Sequence, residues 1–356
     1  MLHIVSIIGA RPQFIKAAPI CRALRETGHQ EYLVHTGQHY DPEMSEVFFE
    51  ELQLPTPDIN LEVGSGSHGW QTGQMLMRIE EVLVAQKPNW VLIYGDTNST
   101  IAGALAAVKL HIPVAHVEAG LRSFNRKMPE EHNRVVSDHL ADLLLCPTQT
   151  AVNNLTREGI AQGVHLVGDV MYDSLRYNLR LAEQRSIILD TLRLQPKEYV
   201  LATVHRAENT DDPERLHAIF EAFIQITHDG LPVVIPLHPR TRKRLEELNL
   251  SFNKLQVLAP VSYLDMLMLA QNARMILTDS GGLQKEAYWL KVPCLTLREE
   301  TEWVETVESG WNMLVGAQTE TIIQSVHTFT SPETHLPFYG DGETAFRCVR
   351  LLEIQQ

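Results

Sequence analysis

The chain is 356 residues long, 44% hydrophobic and 21% charged, enough for about two globular domains with sizeable cores. Its formal net charge is −14, and no Lys/Arg block stands out, which argues against nucleic acid or an acidic membrane surface as a partner. Cys21, Cys146, Cys294 and Cys348 form no CxxC pair and read as buried, reduced thiols. MLHIVSIIGARPQ lacks a basic leader and a cleavage site, and its apolar run is too short to cross a bilayer. A cytoplasmic protein is expected.

In chain order, HIVSII (3–8) reads as a strand, and GARPQFIKAAPICRALRETG as the helix after it. Pro12 falls near the first turn, Phe14, Ile15, Ala18, Cys21 and Leu24 share one face, and Gly28 stops the helix. WVLIYGD (90–96) is a strand followed by the helix NSTIAGALAAVKL; VAHVEAG (114–120) and LLLCPT (143–148) are further strands. Thr148 is placed to cap QTAVNNLTREG.

After Gly168 the cycle restarts with YVLATVH (199–205), PVVIPLH (232–238), KLQVLAP (254–260), RMILTDS (274–280) and VPCLTLR (292–298). Such near-continuous apolar runs suit strands buried on both faces of a parallel sheet. Helical stretches such as DPERLHAIFEAFIQIT and YLDMLMLAQNA separate them. The pattern predicts an α/β chain of two doubly wound, Rossmann-like parallel-sheet domains. The expected bounds are 1–168, rejoined by a final helix at 345–356, and 169–344. Ligands of such sheets bind at the carboxyl ends of the strands. Gly9-Ala10-Arg11, Asp96, Glu118, His205, His238 and Asp279-Ser280-Gly281-Gly282 all fall there. Two such halves are expected to close as a cleft over a ligand.

TDSGGLQKEA (278–287) carries a phosphate signal: a strand ends, Ser-Gly-Gly turns, and a helix begins. Backbone N–H groups and the helix dipole there attract an anion. Ser280 is a further donor, and Glu286 an acceptor for two sugar hydroxyls; a plain βα turn capped by Ser280 reads the same residues. In GARPQFIK, Arg11 and Lys16 suit a phosphate, or Arg11 caps the sheet edge. Asp96 in YGDTNST is either a site carboxylate or an N-cap. Glu118 in HVEAG ends an apolar strand, where a carboxylate has few partners unless a site supplies them. In MPEEHNR, Glu130 and Glu131 open a helix behind Pro129, and one of the two serves the helix dipole alone. His205 in TVHRAEN sits with Arg206 at another strand end. No HExxH, CxxC or carboxylate–histidine spacing supports a metal site. A Mg²⁺ held mainly by ligand phosphates stays open, and no cofactor is expected.

Together, GARPQFIKAAP, YGDTNST, HVEAGLR, PEEHNR, TVHRAEN, PLHPRT, TDSGGLQKEA and LREETEW resemble the non-hydrolysing UDP-N-acetylglucosamine 2-epimerase family, in its order and over nearly the whole chain. The resemblance implies a GT-B-type two-domain fold and reversible inversion at C2 of a UDP-linked N-acetylamino sugar, through elimination and re-addition of UDP. It aligns the acid/base groups with Asp96, Glu118, Glu130 and His205. It aligns UDP-binding positions with Arg11, Lys16, Arg122, His205, Ser280, Gly281, Gly282, Glu286 and Arg298. It also suggests a homodimer.

The connection SFNRKM, with TGQHYDPEM (36–44) and TEWVET (301–306), resembles the branch that epimerises UDP-2,3-diacetamido-2,3-dideoxy-glucuronic acid. Arg126 and Lys127 suit a sugar carboxylate there, or are a solvated basic loop. Rival readings are a GT-B glycosyltransferase using a UDP-sugar donor, a hydrolysing epimerase, and a non-catalytic nucleotide-sugar sensor.

Overall fold

The computed structural model describes residues 1–38, 54–248, 250 and 252–355, without the side chains of Arg11 and Arg240. From residue 39 on, TGQHYDPEM lies outside the described residues. The chain divides into two compact units, Met1–Tyr177 with Pro337–Gln356, and Asn178–Leu336.

Unit 1 runs β1 (His3–Ile8), α1 (Arg11–Glu26), β2 (Gln30–His35), β3 (Ile59–Asn60), α2 (His68–Gln86), β4 (Trp90–Tyr94), α3 (Asn98–Lys109), β5 (Val114–Val117), α4 (Pro129–Leu140), β6 (Leu143–Cys146), α5 (Gln149–Arg157) and β7 (Val164–Leu166). Its sheet is parallel throughout, in the order β3-β2-β1-β4-β5-β6-β7. β4, β5 and β6 are buried at every residue, as their unbroken apolar runs predict. On one face, Val5, Ile7 and Ile93 pack with Met75, Ile79 and Leu83 of α2 and with Ala102, Ala104 and Ala106 of α3. Burying a Val, Leu or Ile side chain contributes ~1.5–3 kcal/mol, and the alanines let α3 lie close to the sheet. Gly9, after β1, tolerates no side chain, because a Cβ there would lie 2.0 Å from Thr36 Oγ1 and 2.3 Å from Ser99 Oγ.

α6 (Val170–Arg185) crosses into unit 2, which continues with α7 (Ile188–Leu192), β8 (Val200–Thr203), α8 (Ala207–Thr210), α9 (Pro213–His228), β9 (Val233–Pro236), α10 (Pro239–Glu247), β10 (Gln256–Leu258), α11 (Tyr263–Asn272), β11 (Met275–Thr278), α12 (Gly281–Trp289), β12 (Cys294–Thr296), α13 (Val304–Glu308), β13 (Asn312–Leu314) and α14 (Thr319–Thr328). Its parallel sheet has the order β10-β9-β8-β11-β12-β13. Phe220 and Phe223 of α9 pack with Val200, Ile235, Leu277 and Leu295 from four strands.

The last helix, α15 (Thr344–Ile354), belongs to unit 1 and packs on α1. It buries Ala345, Cys348, Val349 and Leu352. Asp173 on α6 accepts the Ala345 N–H at 2.8 Å, and the Asp169 N–H donates to the Tyr339 carbonyl at 2.9 Å. The expected joins at 168 and 344 therefore both lie inside segments of unit 1. All four cysteines are buried free thiols, and burial pushes the Cys146 and Cys294 thiols up to about 12. Among the described residues, no helix is long and apolar enough to cross a membrane.

Candidate functional site

In unit 1 the polar residues gather at the carboxyl ends of β4 and β5. Glu118 follows β5 with φ +70°, a left-handed conformation that costs a non-glycine residue ~1–2 kcal/mol. Its carboxylate forms an ion pair with Lys16 of α1, and both side chains are buried. Lys16, expected on a phosphate, is thus brought onto one of the expected acid/base groups. Gly95 lies against the pair: at φ +60°, a Cβ there would stand 2.9 Å from Lys16 Nζ and 3.4 Å from Glu118 Oε2.

Asp96 is half-buried and does not cap α3; Thr97 holds that position. Arg134 of α4 instead grips the Asp96 carboxylate, through Nε at 2.9 Å and Nη2 at 2.6 Å. Asn133 Nδ2 donates to the Asp96 carbonyl at 2.9 Å. The N-cap reading of Asp96 is therefore replaced by an ion pair that fixes its rotamer.

Glu130 and Glu131 part ways. Glu130 is half-buried and engages no hydrogen bond or ion pair among the described residues. Glu131 is buried and accepts from the Ser123 and Phe124 N–H groups at 3.0 and 2.9 Å, from Ser123 Oγ at 3.0 Å and from Arg134 Nη1 at 2.8 Å. Burial alone would raise its carboxyl, but the Ser123 N–H, Arg134 and the Phe124 N–H outweigh that and hold it below the usual range. Glu131 does more than serve a helix dipole: it latches the SFNRKM loop. Phe124, Arg126 and Lys127 on that loop are exposed.

Arg122 is buried and engaged by protein carboxylates. Nε and Nη2 donate to Glu158 at 2.7 and 2.8 Å, and Nη1 to Asp138 and to the Leu121 carbonyl at 2.7 Å each. It ties the turn after β5 to α4 and to the end of α5, and is not an open anion receptor.

In unit 2 the strand ends form a second cluster. Buried Asp279 accepts the N–H groups of His205 and Arg206 at 3.0 Å each and Asn209 Nδ2 at 3.1 Å. Its Oδ1 also stands 3.2 Å from His205 Nδ1, orienting an imidazole whose side chain is 51% exposed. Ser280 caps α12, accepting the Leu283 N–H at 3.4 Å, and Gly281 and Gly282 form its first turn. Tyr263 donates to Glu286 at 2.9 Å. Arg298 is buried and paired with Glu302 at 3.1 Å, while its Nε has no hydrogen-bond partner among the described residues. Among the described residues no group of three or more His, Cys, Asp or Glu is arranged to hold a metal ion.

Missing from the sequence reading are Gln13, Asn133, Arg134, His116 and Asp138. Gln13 accepts the Gly9 and Ala10 N–H groups at 2.8 and 3.0 Å and donates to the Tyr94 carbonyl at 2.9 Å. Arg134 alone had a local signal, lying three residues from Glu131 on one helix face.

Two Rossmann-like parallel-sheet units with acidic side chains at one set of strand ends and a Ser-Gly-Gly helix start at another define a nucleotide-sugar enzyme of the GT-B-like kind. The family profile described as UDP-N-acetylglucosamine 2-epimerase matches residues 22–353, and the chain belongs to that family. It is 55% identical, over 99% of both chains, to a UDP-N-acetylglucosamine 2-epimerase homolog of Methanococcus maripaludis. It is 50% identical, again over 99% of both, to the UDP-2,3-diacetamido-2,3-dideoxy-D-glucuronate 2-epimerase of Pseudomonas aeruginosa. The crystal structure of the Methanocaldococcus jannaschii UDP-GlcNAc 2-epimerase in complex with UDP-GlcNAc and UDP matches with a TM-score of 0.88 and 47% identity, covering 99% of each chain.

Proposed function

We propose that the protein reversibly inverts C2 of a UDP-linked N-acetylamino sugar, interconverting the UDP-GlcNAc and UDP-ManNAc types. C2 has no neighbouring carbonyl, so simple deprotonation is very unfavourable. In the proposed route the C1–O bond breaks as the C2 proton leaves; the bonding pair departs on the UDP oxygen, and a C1=C2 glycal remains. The UDP oxygen then re-adds to C1 while a proton arrives on the other face of C2. Water must be kept out, or the glycal and UDP are lost.

The observation that carries this reading is the buried Lys16–Glu118 pair, set on a left-handed residue at a strand end. Strained conformations cluster where chemistry requires them. Asp96, Glu118 and Glu130 serve proton transfer and steady the cationic ring, with His205 as the fourth group. Ser280, Gly281, Gly282, Glu286 and Arg298 serve the nucleotide and its diphosphate, with Arg11 in support. Lys16 serves as the counter-ion of Glu118, and Arg122 positions the turn that follows it.

Two sugars fit the family. Exposed Arg126 and Lys127, on the loop latched by Glu131, favour a carboxylate at C6 as the second reading, as does the 50% identity to the Pseudomonas enzyme. The exposed stripe Trp70, Met77 and Val84 along α2 supports a homodimer.

The test is incubation with a UDP-sugar alone in D₂O. A C2 epimer carrying deuterium at C2 supports the proposal, and Glu118→Gln should slow it by a factor on the order of 10²–10⁴. No exchange without an acceptor favours a glycosyltransferase, and stoichiometric free UDP a hydrolysing enzyme. A turnover panel of UDP-N-acetylglucosamine against its diacetamido uronate analogue decides the sugar.

A further inference from the structure

Asp96 and Glu118 leave the first sheet through two separate turns, and both turns use left-handed backbone: Gly95 at φ +60°, Glu118 at +70° and Gly120 at +81°. Such turns need outside support to point a side chain reproducibly. One pair of buried side chains reaches both. His116, on β5, is 1% exposed; its Nε2 stands 2.7 Å from the Gly95 carbonyl and its Nδ1 2.7 Å from Asp138 Oδ1. Asp138, on α4 and also 1% exposed, uses Oδ2 to accept the Gly120 N–H at 3.1 Å and Arg122 Nη1 at 2.7 Å.

The chemistry of these contacts is one-sided. A backbone carbonyl only accepts, so Nε2 must donate to Gly95 while Nδ1 faces the Asp138 carboxylate. Burial alone would raise the Asp138 carboxyl, but His116 and Arg122 beside it bring it below the usual carboxylate range. The ring is thus clamped between a carbonyl one residue before Asp96 and a carboxylate that holds the turn after Glu118. None of its polar atoms points to solvent.

We infer that His116 and Asp138 are a positioning pair for the epimerisation, acting through Gly95 and Gly120 to set the directions of Asp96 and Glu118 without touching the substrate. The inference rests on the roles proposed above for those two carboxylates. Misplacing a reacting group by about 1 Å can cost on the order of 10²-fold in rate, so a buried hydrogen-bonded tie is a fitting device.

The experiment compares His116→Asn and His116→Gln with the wild type. The Asn amide reaches toward Asp138 but loses the Gly95 carbonyl; the Gln amide mimics Nε2 and keeps it. His116→Asn should lower kcat for C2 exchange by on the order of 10²-fold, with KM and UDP affinity changed less than about twofold and a cooperative melt retained. His116→Gln should recover part of the loss. Wild-type kcat in His116→Asn, or a loss carried in KM, would overturn the inference. A second measurement uses the wild type alone, so it survives variants that fail to fold. Long-range ¹H–¹⁵N spectra should show a proton on His116 Nε2, the nitrogen that faces the Gly95 carbonyl; an Nε2 without a proton would overturn the clamp. Absence of C2 exchange in the wild type would instead strike the epimerase reading, while those spectra still decide the clamp.

Discussion

The Lys16–Glu118 pair permits a double-mutant cycle. Both side chains are more than nine-tenths buried, at 9% and 7% exposure, so each charge gains from the other. Removing one partner from a buried ion pair costs ~3–5 kcal/mol, whereas replacing both by well-packed apolar groups of similar volume is often nearly neutral. Unit 1 is a body of roughly 200 residues, for which 1 kcal/mol moves Tm by ~2–4 °C. Lys16→Met and Glu118→Gln should each lower the Tm of unit 1 by roughly 6–20 °C, while the double variant loses well short of the sum of the two. All three should be poor epimerases. Differential scanning calorimetry reads the stabilities, and C2 exchange in D₂O the activities. Additive losses in the double variant, or single variants that melt like wild type, would refute the idea that the two charges depend on each other.

Gly95→Ala should lower activity at least tenfold and stability by ~1–2 kcal/mol, since the new methyl forces φ +60° on an L-residue and crowds Lys16 Nζ; unchanged turnover would show that Lys16 can yield freely. Glu131→Gln weakens charge-assisted bonds worth ~1.5–3 kcal/mol each. Amide exchange at Ser123 and Phe124 should then speed up, and undiminished protection would show that the loop holds without its latch. Asp173 is raised from 3.8 to about 6, mainly by burial, so its contribution favours the fold below pH 3.8 and fades as pH rises through 6. Asp173→Asn should therefore melt higher than wild type at pH 8, by at most ~3 kcal/mol, and match it near pH 3.5; a gain that appears only in acid would reverse the assignment.

Fold class was legible because the central strands β4, β5, β6, β8 and β11 are buried on both faces and must be apolar throughout. β7 and β13, each at one edge of its sheet, are three residues long and only partly buried; β2 begins with exposed Gln30 and half-buried Glu31 and Tyr32. Strand-end position made Asp96, Glu118 and His205 visible as site candidates, since a polar residue closing an apolar run is itself a local signal. Their partners were not visible. Lys16 meets Glu118 across 102 positions, Arg134 meets Asp96 across 38, and Arg122 meets Glu158 across 36. Only the parallel strand order creates those neighbours. The same blindness hid the two carboxylates, Glu158 and Asp138, that hold the guanidinium of Arg122, a position the family resemblance aligns with UDP binding.

The helix α15 gives unit 1 two pieces separated by the whole of unit 2. On a translating ribosome, the first piece is finished on the order of ten seconds or more before its last helix emerges. During that interval the α1 surface that awaits Ala345, Cys348, Val349 and Leu352 has no cover of its own. The nascent protein therefore passes through a stage in which its later-made unit can be complete while its earlier-made one is not, reversing the usual order of assembly and marking α1 as the face a chaperone would meet.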